Sequence, residues 1–361
     1  MIDKKYYTDI KYFEHEVQNI FKKNWFFACL TTEISKNNDF VSIDLGGTSI
    51  AIHNFKGKLV AFQNICSHRF NRIHPDGKGN KPFFCKYHGW NYNADGIPRI
   101  PKEASFEITD YECLRLKKYT LEVCGKFVFV KLENSEDANL KEYLGDYFNE
   151  LEKISSFLGG QNDDGTMPHL ANWKLLVENV LEGYHCPLVH KNSLVDLGYC
   201  IDYPKDIKYF KSHSSWHSPR TISEETVSKK LNFLNNLMFK HNSFYHIYIF
   251  PNLFISSTSG GFFYIGKLMP DKVDRSDLHY NFFSPQYSIE LTDKEQKLDK
   301  ALFSFNCESA LNVLNEDKPM VEGCQSGISE DSNVGGILSV TEEIRIIEFH
   351  KNLQKQYEKF I

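Results

Sequence analysis

The sequence predicts an α+β protein in which a small all-β domain precedes a larger domain built on an antiparallel sheet flanked by helices. Short β runs broken by turn signals fill residues 38–132. Beyond them, strands are followed by helices without the alternating βα pattern of a parallel sheet. We therefore divide the chain into an N-terminal helical segment (1–37), the all-β domain (38–135) and the mixed domain (136–361).

The N-terminal segment carries apolar side chains at helical spacing over residues 8–30. This pattern indicates an amphipathic helix that runs into the apolar stretch 25–30 and packs on the mixed domain. Strands of the all-β domain are predicted at 40–43, 49–52, 59–62 and 126–130.

The mixed domain opens with residues 159–165, whose glycine, asparagine and aspartate content indicates a turn or loop. Apolar spacing predicts a helix over Trp173–Tyr184. The later elements are expected to be strands at 245–257, 262–269 and 278–283, then helices at 293–316 and from 341 to the C-terminus.

The composition is that of a soluble globular protein, with 361 residues, 41% hydrophobic and 25% charged. A net charge of -5 gives no electrostatic reason to expect a nucleic acid or an anionic membrane as partner. No apolar run reaches the ~18 residues of a membrane span, and no secretory signal is visible, so a cytoplasmic location is expected. The odd number of cysteines, nine, favours reduced thiols over a disulfide framework.

Two short Cys/His pairs form the strongest signal in the chain: Cys66-x-His68 and, after sixteen intervening residues, Cys85-x-x-His88. A structural zinc ion could bind this set tetrahedrally. A [2Fe–2S] cluster with two Cys on one iron and two His on the other would use the same residues. Zinc modules usually keep like ligands together, whereas each pair here offers one Cys and one His, so the spacing favours the cluster.

Four further histidines are interpreted without a metal. His53 falls on a predicted strand, and His74 lies between the two Cys/His pairs, where packing or solvation explains each. His213 and His217 stand in polar, serine-rich surroundings that indicate a loop.

A second ligand set is indicated by His185 and His190, which are five residues apart. A regular helix would place them about 140° apart, so one metal binds both only if the helix ends or distorts between them. Pro187 supplies such a break. Two imidazoles and one carboxylate form the facial triad that holds mononuclear Fe(II), and Glu316-Asp317 offers the best carboxylates.

The two Cys/His pairs, ending in His-Gly-Trp, resemble the motif of Rieske-type non-haem iron oxygenases, catalytic (alpha) subunit. The resemblance extends to residues 12–25, to Phe250-Pro251-Asn252-Leu253 and to the late Glu-Asp, so it spans nearly the whole chain. It implies that Asp317 is the iron ligand, with Glu316 as the runner-up. Phe70 departs from the pattern, because these oxygenases usually have Gly there.

Glu182 precedes His185 by three residues, so both are predicted on one helix face. The resemblance implies that Glu182 links His185 to His88 of an adjacent chain, which requires a cyclic homotrimer. Most family members have Asp here, and the longer Glu occurs among relatives that act on quaternary amines. Glu178 and Asn179, one turn earlier, are explained equally well by surface polarity, structural hydrogen bonding or a site role.

The resemblance implies an enzyme that uses O₂ and electrons from a separate NAD(P)H-dependent reductase, ferredoxin- or flavin-linked, to hydroxylate or oxidatively demethylate a small organic substrate. The cofactors would be a [2Fe–2S] Rieske cluster and a mononuclear Fe(II). A quaternary amine is modestly favoured as substrate. Three alternatives stay open: a ring-hydroxylating dioxygenase alpha subunit, a Rieske electron carrier without catalysis, and a zinc-binding structural module.

Overall fold

A computed structural model describes residues 3–133, 139–195, 205–219, 231–331 and 334–358. The chain forms two compact units. One consists of Met1–Glu16 with Leu144–Ile361, and the other of Val17–Tyr143.

The second unit, here called the β unit, is an antiparallel sheet with long loops. Its strands are β1 (Phe26–Leu30), β2 (Asp39–Leu45), β3 (Thr48–Phe55), β4 (Lys58–Gln63), β5 (Gly77–Asn80), β6 (Asn91–Tyr92), β7 (Pro98–Arg99), β8 (Lys118–Cys124) and β9 (Phe127–Lys131). The main sheet has the order β1-β9-β8-β4-β3-β2-β5, and β6 pairs with β7. The core below the loops consists of buried aromatic side chains around two thiols: Phe62, Cys66, Phe83, Cys85, Trp90 and Tyr92.

The N-terminal segment differs from the expectation of one helical piece over 1–37. Short helices α1 (Lys5–Thr8) and α2 (Ile10–Glu16) belong to the first unit, whereas residues from Val17 onward belong to the β unit. The reason is β1, which pairs with β9 as a sheet strand. Its five residues are all buried, so they lack the alternation that identifies a half-buried strand.

The first unit, here called the mixed unit, contains the antiparallel sheet that the sequence predicts. Its strands are β10 (Leu158–His169), β11 (Lys205–Phe210), β12 (His213–Pro219), β13 (Ser243–Ile249), β14 (Leu253–Thr258), β15 (Phe263–Lys272) and β16 (Arg275–Pro285). They form one sheet in the order β10-β16-β15-β14-β13-β12-β11.

The remaining helices are α3 (Leu140–Leu144), which spans the boundary between the units, and, in the mixed unit, α4 (Asp146–Phe157), α5 (Trp173–Leu181), α6 (Cys186–Val189), α7 (Asp293–Ser329) and α8 (Ile344–Tyr357). Helix α7 begins with a capping box between Thr292 and Glu295 and continues through Pro319, well beyond its predicted end at residue 316. Among the described residues, none of the helices has the length and apolarity needed to cross a membrane.

Two loop predictions in this unit are wrong. Residues 159–165 lie within β10, and those from Asn162 onward pair with β16, although their composition indicated a loop. The side chain of Tyr280 on the paired strand lies over Gly165, where a Cβ would meet its hydroxyl, so the glycine marks close packing rather than a turn. His213 and His217 lie on β12 instead of a loop.

A buried charged network ties the N-terminal helices to the rest of the mixed unit. The Glu16 carboxylate accepts hydrogen bonds from Lys174 Nζ and Trp173 Nε1, both at 2.6 Å, and from the Tyr357 hydroxyl. Glu16 and Lys174 are completely buried. Each charge is therefore tolerated only while its partner is present.

Candidate metal centres and substrate cavity

The first candidate centre lies on two loops of the β unit that share one backbone plan. Cys66 N donates to Asn71 O, and Cys85 N donates to Trp90 O, both at 2.8 Å. Each loop thus closes with its cysteine at one end of a short hydrogen-bonded turn. The two thiols are buried, and Tyr92 hydroxyl donates to Cys66 Sγ at 3.1 Å.

Each loop also turns through a residue with positive φ, four positions after its cysteine. Gly89 has φ 76° and Phe70 has φ 60°, and both amides donate to the carbonyl of the preceding cysteine at 2.9 Å. Phe70 therefore adopts the left-handed conformation that Gly usually provides. The departure from the family pattern leaves the loop shape intact.

The two imidazoles of this centre lie edge to face beside each other. The rings of His68 and His88 have centroids 4.5 Å apart, and His68 stacks on Trp90 with centroids 4.9 Å apart. His68 Nδ1 is buried without a hydrogen-bond partner among the described residues, whereas His88 is exposed. Two thiols, two imidazoles and an orphaned ring nitrogen fit a [2Fe–2S] cluster.

The second candidate centre begins where α5 ends. Glu182 follows Leu181 in an extended conformation, with φ -131° and ψ 169°, so it does not share a helix face with His185 as predicted. His185 instead caps the four-residue helix α6, and His190 follows its last residue. Pro187 lies in the first turn of α6, where its missing N–H costs nothing. The predicted break exists, but it precedes His185, and Pro187 starts a helix rather than ending one.

Three predicted ligand atoms converge in this region. His185 Nε2 and His190 Nε2 are 3.2 Å apart, and Asp317 Oδ1 lies 3.3 Å and 3.0 Å from them. This oxygen is buried and accepts no hydrogen bond of good geometry from the described residues. Burial alone would raise the pKa of Asp317, but the two imidazoles outweigh it and lower the pKa to about 2.

Each of these imidazoles has a carboxylate at its other nitrogen. Glu182 Oε1 contacts His185 Nδ1, and Glu316 Oε2 accepts from His190 Nδ1 at 2.8 Å. These contacts hold a hydrogen on each Nδ1, so that both Nε2 atoms would be available to a metal bound beside Asp317. Glu316, which the sequence offered as an alternative ligand, therefore contacts the outer nitrogen of a histidine. The sequence could have predicted this contact only from the position of Glu316 next to Asp317.

The arrangement of two imidazole nitrogens and one carboxylate oxygen fits a mononuclear iron with open coordination positions. Cys186 Sγ also lies within 4.8 Å of the histidine ligand atoms, a proximity that the sequence did not reveal. The remaining polar residues that the sequence singled out have structural contacts. Glu178 accepts from Tyr7 hydroxyl and His350 Nε2, His213 Nδ1 accepts from Phe250 N, and His217 contacts Ser243 Oγ.

A cavity of about 350 Å³ adjoins the second centre. Its lining includes Glu182, His185, His190 and Asp317 at one side and side chains of strands β12 to β16 at the other, with Asn179 among the rest. This volume is within the range of small-molecule sites.

Comparison with known protein families agrees with both centres. Residues 162–359 match the ring-hydroxylating alpha subunit (catalytic domain), and residues 24–119 match the Rieske [2Fe-2S] domain. The chain belongs to the ring-hydroxylating alpha-subunit family. The predicted fold class and family resemblance are confirmed, as are the cofactors of the two domains, a [2Fe–2S] cluster and a mononuclear iron.

Three curated relatives illustrate the range of this family. The chain is 33% identical over 199 residues to the large subunit of anthranilate 1,2-dioxygenase from Acinetobacter baylyi, covering 52% of this chain and 41% of that protein. It is 30% identical over 203 residues to the oxygenase subunit of glycine betaine monooxygenase from Pseudomonas aeruginosa, covering 53% and 45%. Less than half of each of these two relatives is therefore matched. Choline monooxygenase from Beta vulgaris is 25% identical, covering 96% of this chain and 74% of that protein.

Solved structures show the same fold. The quaternary ammonium Rieske monooxygenase CntA superposes with a TM-score of 0.80 at 22% identity, covering 99% of this chain and 95% of that one. Naphthalene 1,2-dioxygenase from Rhodococcus gives 0.77 at 18% identity, covering 98% and 94%.

Proposed function

We propose that this chain is the oxygenase subunit of a Rieske-type enzyme that hydroxylates or oxidatively demethylates a small organic substrate. The observation that carries the proposal is the convergence of His185, His190 and Asp317 beside a cavity of substrate size. Iron bound there would supply the capacity to activate O₂. An electron carrier without catalysis would need neither this triad nor the cavity.

The residues around the triad have separate tasks in this proposal. His185, His190 and Asp317 would hold the iron, while Glu182 and Glu316 orient the two imidazoles through their Nδ1 atoms. Cys66, His68, Cys85 and His88 would hold the cluster. The apolar lining of the cavity excludes water from the substrate.

We also propose that Glu182 connects His185 to His88 of an adjacent chain within a homotrimer. The Glu182 carboxylate already contacts His185, and Tyr184 and Leu188 beside it are 64% and 87% exposed, which leaves them available to a second chain. His88 is exposed on the β unit. A CntA structure is described as revealing inter-subunit electron transfer.

The electron donor is proposed to be a separate NAD(P)H-dependent reductase of the ferredoxin or flavin type. Two relatives are named as a large subunit and as an oxygenase subunit, and such names support a separate electron-supplying partner. Their printed substrates support either a quaternary amine, as in glycine betaine or choline monooxygenase, or an aromatic compound, as in anthranilate dioxygenase.

The test is turnover of the iron-loaded chain with a surrogate reductase, NADH and O₂, first with betaines, carnitine and choline and then with simple aromatics. In Glu182→Gln loaded with excess Fe(II), both metals should be bound while product formation falls by 10- to 100-fold or more. The control is Glu290→Gln, at an exposed position. Undiminished turnover in Glu182→Gln would refute the bridging role.

A further inference from the structure

One row of side chains crosses the sheet of the mixed unit and faces the cavity. Trp216 is paired with His246, His246 with Ser256, and Ser256 with Tyr264 on successive antiparallel strands. Directly paired residues project to the same face of a sheet. All four line the cavity that contains the triad, and we call them the polar row.

Three polar atoms of this row are buried without a partner. Trp216 Nε1, His246 Nε2 and the Tyr264 hydroxyl have no hydrogen-bond partner among the described residues. Trp216 and His246 are each only 3% exposed. Folded proteins rarely leave such groups unsatisfied, and an unsatisfied cluster on a cavity wall indicates that a ligand completes it.

All three atoms are hydrogen-bond donors. An indole nitrogen can only donate. Both terminal nitrogens of Arg345 donate to His246 Nδ1 at 3.2 Å, so the ring hydrogen must be on Nε2. Burial and the charge of Arg345 keep the pKa of His246 well below its usual value, so the ring is neutral.

The Tyr264 hydroxyl also keeps its proton. Burial, assisted by the Asp317 carboxylate, raises the pKa of Tyr264 well above its usual value. Gly266 leaves room for this side chain, because a Cβ at that position would collide with the hydroxyl.

The electrostatic surroundings of the row favour a negative ligand. Arg345 is almost completely buried; among the described residues it donates hydrogen bonds to Ser214 and the neutral His246, and it lies over the ring of Trp216. No carboxylate of the described chain lies within ion-pair distance of it. The described carboxylates that line the cavity, Glu182 and Asp317, are both engaged with histidines at the iron side.

We infer that the polar row binds a carboxylate group of the substrate, while the carbon to be oxidised lies toward His185, His190 and Asp317. This inference rests on the proposed function and narrows it to small carboxylic acids, whether betaine-like or aromatic. Aromatic faces in the cavity suit either a methylated ammonium or a ring, so they do not separate those two kinds of acid. Binding of a carboxylate distinguishes both kinds of acid from an alcohol or a simple amine.

Equilibrium binding to the iron-loaded protein tests the inference with pairs that differ only in the acidic group: glycine betaine against choline, anthranilate against 2-aminobenzyl alcohol, and benzoate against benzyl alcohol. At least one acid should bind tenfold or more tightly than its alcohol. The inference is overturned if no acid exceeds its alcohol, including the case in which neither member of any pair binds.

Two variants remove single donors and keep an aromatic ring at the position. Trp216→Phe and Tyr264→Phe should each weaken binding of the preferred acid about tenfold and leave binding of its alcohol unchanged. Tyr280→Phe, on the same sheet but outside the cavity lining, is the matched control. Equal losses for acid and alcohol would show a packing role and contradict carboxylate recognition.

The outcome also separates this inference from the function on which it rests. Acid-selective binding without turnover of any acid would sink the oxygenase proposal and leave the carboxylate site in place. Turnover of an alcohol or amine without preferential binding of acids would support the oxygenase proposal and refute the carboxylate site.

Discussion

The two metal centres of this chain are held in different ways. In the β unit, the backbone does the holding: paired loops repeat the same amide-to-carbonyl hydrogen bonds around Cys66 and Cys85. In the mixed unit, side chains do it: carboxylates of Glu182 and Glu316 fix the rings of His185 and His190. A centre held by backbone tolerates changes in flanking side chains, whereas one held by carboxylates is vulnerable to single substitutions.

The largest expected effect comes from removing the carboxylate that faces both imidazoles. In Asp317→Ala, the mononuclear iron should be lost while the [2Fe–2S] cluster stays, because their ligands are separate sets. Iron analysis together with electron paramagnetic resonance of the reduced cluster measures both. Asp163→Ala, at an exposed position, serves as the control. Full iron content at both centres would refute the assignment of Asp317.

Glu316 should have the next largest effect, because its carboxylate orients His190 from the side away from the iron. Glu316→Gln keeps the size of the side chain and removes its charge, so iron affinity should fall by about 10- to 100-fold. A chelator competition measures that affinity. Glu308→Gln, exposed on the same helix, should behave as the unaltered chain. Equal iron affinities in the two variants would show that Glu316 does not orient His190.

The same contrast explains what could be predicted from the sequence. The proposed cluster ligands lie close together along the chain, so their spacing predicted the residues and favoured the cofactor. His185, His190 and Asp317 were also predicted, and the structure brings them together, but the path of the chain between Leu181 and His190 was not predicted, since Pro187 can either end a helix or occupy its first turn.

The polar row could not be predicted from the sequence because it depends on strand register. Trp216, His246, Ser256 and Tyr264 come from four strands, and only their pairing brings them onto one face. Local composition was also misleading at β10, where the glycines indicated a loop. There, pairing with β16 outweighs the weak strand propensity of the segment.

Acid should weaken the β unit through a pair of buried histidines. His53 Nδ1 and His74 Nε2 are 3.1 Å apart, and burial lowers the pKa of His53 to about 4 and that of His74 to about 3. The unfolded chain binds protons below about pH 6.5 while the folded chain does not. Stability is therefore retained above pH 6.5 and lost as the pH falls toward 4, at about 1.4 kcal/mol per histidine per pH unit.

The measurement is the slope of unfolding free energy against pH between 6.5 and 4.5. His53→Phe should make this slope shallower, since one of the two imidazoles no longer titrates, whatever its effect on absolute stability. If His53→Phe did not alter the slope, the acid sensitivity could not be assigned to the buried pair of His53 and His74.

The smallest expected effect tests whether the two cluster loops are equivalent. Gly89 and Phe70 occupy matching left-handed positions, but Phe70 bears a side chain that is 79% exposed and packs little. Gly89→Ala should destabilise the β unit by about 1–2 kcal/mol, because a left-handed residue with a Cβ is strained and its new methyl meets Pro101 only at ordinary contact distance. Phe70→Gly should relieve the same strain, offset by about 0.4–1 kcal/mol of extra freedom in the unfolded chain, so that stability stays equal or rises slightly.

Thermal unfolding of both variants, followed by loss of the cluster absorbance, gives the comparison. If Phe70→Gly destabilised the unit as much as Gly89→Ala, the aromatic side chain would have to stabilise the fold despite its exposure. The two loops would then have the same backbone conformation, but Phe70 would not be a position where glycine relieves strain.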